Sequence, residues 1–260
     1  IEERHGFNKT TRKTFVTDIF KGLLISGAIS SILYATVIFI IISAGDLWWI
    51  YAFAAVFTLQ AIIFFLYPVL IMPLFNKFEP LDDEQFKKPI EKLLEKVDFK
   101  SKGLFVMNAS LRSTHGNAFF TGFGKNKRIV FFDTLLKTIN PDEMEAILGH
   151  ELGHYKLGHI RKTLISSLVF GFLGFYILNE IFKSDNFFIA HGLENLTVYS
   201  KFLMFYLVIG SYTFFTKPIT SALSRKREFE ADDFSFQFTD GEHMISCLLY
   251  TSDAADELSS

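Results

Sequence analysis

The sequence predicts a mainly α-helical protein that spans a membrane several times and carries one sizeable polar insert. Half of the 260 residues are hydrophobic, and 32 of them are phenylalanine. The mean hydropathy is +0.28, and the apolar residues are concentrated in four long runs separated by polar stretches. This composition predicts the lipid bilayer as the environment of the chain. The net charge of −2 gives no reason to expect a nucleic-acid partner, so we predict none.

Each of the four runs is long enough to cross a bilayer, which takes about 20 apolar residues. The runs cover residues 23–43, 47–70, 164–182 and 198–215. The first two contain no charge, and Trp48 and Trp49 open the second run, where aromatic residues favour the membrane interface. The last two contain isolated polar residues such as Glu180 and Lys201. Buried helices of an ordinary core therefore remain an alternative for these two runs.

The charges between the runs predict an orientation in the membrane. Lysine and arginine are frequent before the first run, in the polar insert and after the last run, but absent from the short connection 44–46. The positive-inside rule therefore predicts a cytosolic insert. We predict six segments: a cytosolic loop (1–22), a transmembrane helix pair (23–75), the cytosolic insert (76–162), a second transmembrane pair (163–218), a helical segment (219–246) and an atypical tail (247–260).

The sequence of the insert predicts one helix and a small β-hairpin, which precede its most distinctive motif. Apolar residues recur at helical spacing after Asp83 and Glu84. Short strands are predicted around 104–107 and 128–132, with an extended segment at 117–124 and a turn at 125–127. A strand beside a catalytic helix can hold an extended peptide by edge pairing. A hairpin that only completes the fold is an equally open alternative.

The motif is His150-Glu151-Leu152-Gly153-His154, the His-Glu-x-x-His spacing of zinc hydrolases. Asn140 and Pro141 have the residue types of a helix N-cap and first turn, so the motif is predicted to lie inside a helix. Two histidines four residues apart lie about 40° apart around such a helix and can bind one Zn²⁺. Glu151, on the adjacent flank, can take a proton from a water that the metal activates.

A tetrahedral zinc site needs a third protein ligand. His159 is a poor candidate, because on a continued helix it would lie about 140° from His154. Glu228 is a better one, and Asp232, four residues later, can orient a zinc-bound imidazole. An ordinary charged helix face, in which Glu228 pairs with neighbouring arginines and lysines, is equally compatible with the spacing. Glu230 is a rival ligand that points to a different face.

The chain resembles the CAAX prenyl protease 1 family of multi-spanning zinc endopeptidases. The resemblance rests on residues 150–159, on Ser224-Arg225 with Glu228-Phe229-x-Ala231-Asp232, and on the segments 1–8, 117–120 and 127–136. It implies one Zn²⁺ per chain, held by His150, His154 and Glu228, with Glu151 as the catalytic base and Asp232 behind the ligands. It also implies that Asn117, Ala118 and Phe119 lie in the substrate-binding segment.

The resemblance implies further expectations about the whole protein. The chain would be a fragment with the last four of seven spans, and its tail departs from the family where residues that support the oxyanion are expected. The substrate would be a peptide or protein, in this family a prenylated one that loses its C-terminal peptide. The protein would reside in the endoplasmic reticulum membrane of a eukaryote or the inner membrane of a bacterium, with the active site towards the cytosol.

Two other functions remain open from the sequence. One is a membrane quality-control zinc protease of the heat-shock type, which shares the zinc motif. The other is a catalytically impaired membrane scaffold that binds zinc for folding. The intact Glu151 argues against a scaffold, since a structural zinc site has no use for a base.

Overall fold

The computed structural model describes residues 4–122, 127–240, 242–243 and 245. The chain divides into two compact units. The first comprises Ile1–Gly27, Ile62–Gly158 and Glu228–Ser260, and the second comprises Ala28–Ala61 and His159–Arg227. The described residues are mostly helical with one small sheet, which confirms the predicted fold class.

Four helices are long and apolar enough to cross a membrane: Arg12–Ser43, Gly45–Phe75, His159–Lys183 and Val198–Phe236. Each contains one of the four predicted runs. The first helix, α1 (Arg12–Ser43), begins within the segment predicted as a loop. The Thr11 hydroxyl accepts a hydrogen bond from the Thr14 N–H at 3.2 Å and so caps the start of α1. Hydropathy marked the apolar part of the helix and missed its polar beginning.

The second span is interrupted near its end. Helix α2 (Trp48–Leu66) passes into a π-helical turn at Tyr67–Ile71 before the short helix α3 (Met72–Phe75). The Met72 N–H donates to the Tyr67 carbonyl, five residues back. Pro73 follows directly and has no N–H to donate, so the regular i→i−4 ladder cannot continue through it. A π-helical turn, like a proline, is a known cause of kinks in long helices.

The second unit packs mainly through aromatic rings. It contains α7 (His159–Lys183), the short α8 (Asp185–Ala190) and α9 (Val198–Thr213). Trp48, Ala52 and Leu178 are buried together. The ring of Trp48 lies 5.5 Å from that of Phe182 and 6.2 Å from that of Phe202. A 3₁₀ turn then joins α9 to α10 (Lys217–Phe236).

The first unit contains a four-stranded sheet with the order β1-β2-β4-β3. Its strands are β1 (Phe78–Pro80), β2 (Leu104–Met107), β3 (Ala118–Thr121) and β4 (Arg128–Phe132). The antiparallel pair β3–β4 confirms the predicted hairpin, although residues 123–126 of its turn lie outside the described residues. The sequence did not predict β1, whose Pro80 is compatible only with an edge strand, nor the parallel pairing of β2 with β4.

A hydrophobic core holds the sheet against two helices of the insert, α4 (Glu84–Lys96) and α6 (Pro141–Lys156), with the short α5 (Leu135–Thr138) between β4 and α6. Ile90 and Leu93 of α4, Leu148 and Leu152 of α6, and Phe131 of β4 are completely buried in it. This core positions the helix that carries the motif.

The predicted tail 247–260, together with residues 241, 244 and 246 of the preceding segment, lies outside the described residues. The division into six linear segments stays a prediction. The predicted helical segment after residue 219 is part of α10, which follows α9 with only the 3₁₀ turn between them.

Candidate metal centre

Helix α6 begins at a complete capping box. The Asn140 side chain accepts hydrogen bonds from the N–H groups of Asp142 and Glu143 at 3.0 and 2.9 Å. The Glu143 carboxylate in return accepts one from the Asn140 N–H at 3.0 Å. This arrangement satisfies donors that a helix start leaves unpaired. The predicted N-cap is confirmed, and the motif lies inside α6 as expected.

Three donor atoms from α6 and α10 converge on one point. The Nε2 atoms of His150 and His154 lie 3.1 Å apart, and Oε2 of Glu228 lies 3.4 Å from each of them. Metal–ligand bonds of about 2.0–2.2 Å at tetrahedral angles separate neighbouring donors by about 3.3–3.6 Å. The observed triangle therefore fits a zinc ion with one position left open. Within the described residues it is the one group of three His, Cys, Asp or Glu side chains close enough to hold a metal.

Asp232 sets the orientation of the first histidine. Its Oδ1 lies 2.7 Å from Nδ1 of His150. Because a carboxylate accepts, the imidazole donates its Nδ1–H, which leaves Nε2 with a lone pair directed at Glu228 and His154. This is the arrangement expected behind a metal-binding histidine.

Glu151 follows His150 on α6 and is more buried than an ordinary surface glutamate. Burial raises the pKa of its carboxyl group, a proton on His150 would oppose this rise, and the negative charge of Glu228 adds to it. A raised pKa makes the carboxylate a stronger base than that of an exposed glutamate.

The structure places the two other candidate ligands, His159 and Glu230, outside the converging group. Helix α6 ends at Lys156, Gly158 adopts a positive φ of 68°, and His159 is the first residue of α7. His159 is therefore a helix-end residue as predicted, but the helix-angle argument assumed a continuous helix that does not exist. Neither His159 nor Glu230 belongs to the group of converging donors.

Strand β3 forms one edge of the sheet and packs beside α6, where the Phe120 and Tyr155 rings lie 6.3 Å apart. The Phe132 N–H donates to the Asn117 carbonyl at 2.9 Å, so the alternation of an antiparallel pair turns the main-chain groups of Phe119 towards β4. The main-chain groups of Ala118 and Phe120 then face the outer edge of the sheet, which pairs with no further strand among the described residues. The main-chain N–H and C=O of Phe120 can therefore pair with an extended peptide, whereas those of Phe119 cannot. Phe120 was not among the predicted substrate-binding residues.

The exposed Asn117 already contacts this edge. Its Oδ1 accepts a hydrogen bond from the Ala118 N–H at 2.8 Å. The side chain therefore occupies one of the edge donors that a bound peptide would use.

The match with known proteins decides the family. Residues 80–250 match the model of Peptidase family M48. This chain belongs to peptidase family M48. The match of this M48 chain to the family model ends at residue 250. It therefore includes the first residues of the segment 247–260, which was predicted as an atypical tail. Residues 1–77 match a second model, described as the CAAX prenyl protease N-terminal region with five membrane helices.

Several relatives confirm the resemblance found in the sequence. The CAAX prenyl protease 1 homolog of Arabidopsis thaliana is 39% identical over 236 residues, which cover 90% of this chain and 56% of that protein. The Homo sapiens homolog is 32% identical over 288 residues, covering 96% and 61%. The crystal structure of S. mikatae Ste24p superimposes with a TM-score of 0.80 at 33% identity, covering 91% and 58%. The M48 chain thus spans little more than half the length of these relatives.

Two general properties follow from membership. The M48 family is zinc-dependent in general, and the converging donors of this M48 chain fit that metal. Together with the four long apolar helices, the match to a membrane-helix region makes the chain an integral membrane protein.

Sequence reasoning missed the small residues that bring α10 onto α6. Ala231 and Ser235 are buried in α10, and the Ser235 hydroxyl donates to the Ala146 carbonyl at 3.0 Å. They face Gly149 and Gly153, which flank the histidines of this M48 motif. Glycines inside a helix were the available signal, because a poor helix former in that position often has a packing reason.

Proposed function

We propose that this chain carries the active site of a membrane zinc metalloendopeptidase. His150, His154 and Glu228 hold the metal, and Asp232 keeps the His150 imidazole in its binding orientation. The observation that supports this best is the convergence of the three donor atoms at 3.1–3.4 Å beside the half-buried Glu151. When bound, zinc supplies a Lewis acid that polarises the scissile carbonyl and activates water.

Glu151 acts as the general base and acid in this proposal. It takes a proton from the attacking water and delivers it to the leaving amine. The burial that raises its pKa makes the carboxylate a stronger base and so favours the first of these transfers, whereas the charge of a bound cation would lower the pKa again.

The outer edge of β3 binds the substrate as an added strand. The main-chain groups of Ala118 and Phe120 hold the extended peptide, and the Asn117 side chain moves off the Ala118 N–H to admit it. Edge pairing is indifferent to side-chain identity, so the specificity must come from other contacts.

We propose that the substrate is a C-terminal CaaX-type peptide of a prenylated or other membrane-associated protein. The support is the name CAAX prenyl protease 1 that the relatives bear, together with a membrane-embedded chain. The positive-inside rule supports an active site on the cytosolic side. In a eukaryote this would be the endoplasmic reticulum membrane, and in a bacterium the inner membrane.

The test combines bound zinc with cleavage of defined substrates by the purified chain in detergent. We expect one zinc per chain and cleavage of a farnesylated CaaX peptide. Glu151→Gln should keep the zinc and lose cleavage by at least about 100-fold, which is the usual contribution of a general base. Glu145→Gln is the matched control, since Glu145 lies on the same helix and pairs with Lys96 at 3.8 Å.

Each other outcome has a defined meaning. Unchanged cleavage by Glu151→Gln contradicts the assigned base, and absence of zinc contradicts the metal site. Cleavage of misfolded membrane proteins without cleavage of prenylated peptides favours the heat-shock type of protease. Zinc without any cleavage, in the full-length protein as well as in this chain, favours the scaffold.

A further inference from the structure

Gly149 and Gly153 form a groove on α6 immediately beside the histidines. The two glycines are four residues apart and share one face of the helix, as His150 and His154 do on the next face. Each glycine precedes a histidine by one residue, or about 100° of rotation. The helix therefore presents the donors and a surface without side chains side by side.

The backbone of α10 fills this groove. A Cβ on Gly153 would lie 2.9 Å from the Ala231 carbonyl oxygen and 3.0 Å from the Ala231 Cα, closer than real Cβ atoms approach. A Cβ on Gly149 would lie 2.7 Å from Oγ of Ser235 and 3.0 Å from Cγ2 of Thr239. The first contact is with main-chain atoms, which cannot move away without moving the helix, whereas the second is with side chains.

The residues that fill the groove share a stripe of α10 with the third donor. Glu228, Ala231, Asp232 and Ser235 are spaced i, i+3, i+4 and i+7 along one helix face. The depth to which Ala231 enters the groove therefore sets how far the Glu228 and Asp232 carboxylates must reach. The Glu228 carboxylate lies 3.4 Å from both imidazole Nε2 atoms, and the Asp232 carboxylate lies 2.7 Å from His150 Nδ1.

We propose that Gly149 and Gly153 are positioning residues, which set the separation of α6 and α10 at which Glu228 and Asp232 reach the histidines. The proposal rests on the metal site proposed above and adds the part of the chain that brings its halves together. Glycine is among the poorest helix formers, and its presence twice in α6 is explained by this close approach.

The two glycines should respond differently to alanine. Gly153→Ala collides with the main chain of α10, so we expect zinc affinity to fall by about 10-fold or more, as when the support of a metal ligand is removed. Gly149→Ala collides with Oγ of Ser235, so we expect a smaller loss that Ser235→Ala relieves. Ser235→Ala alone loses the hydrogen bond of the Ser235 hydroxyl to the Ala146 carbonyl, so it is the reference for the double variant. The double variant keeps only the looser contact with Cγ2 of Thr239, so its zinc affinity should lie closer to that of Ser235→Ala than the affinity of Gly149→Ala lies to that of wild type.

Zinc affinity is measured by chelator competition on the full chain in detergent, and the coordination geometry by the absorption spectrum after Co²⁺ substitution. Gly171→Ala is the control for lost packing, because the Phe57 ring occupies the space of its Cβ within the second unit. It should melt at a lower temperature and keep the zinc affinity. Gly174→Ala, with open space at its Cβ, should change neither.

Three results would overturn the proposal. The first is a folded Gly153→Ala variant with wild-type zinc affinity and Co²⁺ spectrum. The second is a loss of zinc affinity in Gly149→Ala that Ser235→Ala fails to relieve. This result decides the question if Gly153→Ala does not fold. If the wild-type chain binds no zinc, the proposed function fails, but the role of the glycines can still be tested. The NMR signal of the His150 Nδ1–H then reports the hydrogen bond to Asp232. The third overturning result is a signal that is unchanged in both Gly149→Ala and Gly153→Ala.

Discussion

The two compact units of this protein are stabilised in different ways. In the first unit, large apolar side chains such as Leu148 and Phe131 are completely buried around the sheet. In the second, residues of the same types remain exposed along the spans, with Leu203 61% and Phe172 43% exposed. Removal of apolar surface from water can therefore stabilise the first unit. The second unit exposes such surface to lipid and relies on specific contacts between its helices.

The units also differ in where they keep their charges. The first unit holds carboxylates inside hydrogen-bonded groups, with Asp232 at His150 and Asp133 at Ser110. In the second unit ion pairs lie at the ends of spans, as between Lys201 and Asp185 at 2.6 Å. We therefore expect buried carboxylates of the first unit to make the larger contribution to the pH dependence of stability.

The largest expected effect comes from shortening a leucine in each unit. Leu148→Ala should lower the free energy of unfolding by about 2–5 kcal/mol, because a completely buried side chain leaves a cavity. Leu203→Ala, on exposed α9, should cost less than about 0.5 kcal/mol in detergent. Denaturant unfolding monitored by circular dichroism checks both. Equal losses would show that the contrast in burial does not govern stability.

The next effect concerns the carboxylate behind the metal site. Asp232→Asn keeps the shape of the side chain but removes its charge from His150, so zinc affinity should fall about 10–100-fold. Asp233→Asn is the matched control, since Asp233 is the exposed neighbour on the same helix. Chelator competition measures both variants. A normal affinity in Asp232→Asn would show that the hydrogen bond at 2.7 Å does not support the metal.

The third effect is a pH dependence centred on Asp133. Burial raises the pKa of Asp133, but the hydroxyl and N–H of Ser110, the charge of Lys137 and the Thr134 N–H outweigh it and hold the pKa below its usual value. A depressed pKa stabilises the fold above the unfolded pKa of about 3.9, and this contribution is lost as the pH falls through the folded value.

Asp133→Asn should therefore cost about 1.5 kcal/mol at pH 7, the scale of a hydrogen bond to a charged group. The difference from wild type should shrink as the pH falls below about 4. Thermal melting between pH 3 and pH 7 checks this. A difference that grows towards low pH would contradict the assigned direction of the pKa.

The smallest effect is expected among the rings of the second unit. Phe53 contacts Phe57 and Phe172 with ring centroids 4.6 and 5.4 Å apart. Phe53→Leu should lower stability by about 0.5–1.5 kcal/mol, the contribution of such ring pairs. Phe39→Leu, at a side chain that is 69% exposed, should have no measurable effect. Thermal melting in detergent compares the two variants. Identical melting curves would show that the ring contacts of Phe53 do not contribute to stability.

Local patterns predicted much of this fold. The four spans, the N-cap at Asn140 and the strands β2 and β4 follow from hydropathy, residue type and short-range periodicity. The start of α1 was missed because its first turns are polar. Strand β1 and the parallel pairing of β2 with β4 were missed because they depend on partners distant in the chain.

The metal centre divides in the same manner. The sequence by itself determined that His150 and His154 share one helix face, because their separation of four residues is close to one turn. It left Glu228 and Asp232 equally compatible with an ordinary charged helix, and only a family resemblance favoured them. Only the tertiary structure brings both carboxylates to the histidines, because Asp232 reaches His150 from 82 residues away where α10 packs into the glycine groove of α6. Such an approach depends on the shapes of two helix surfaces, which no local spacing encodes.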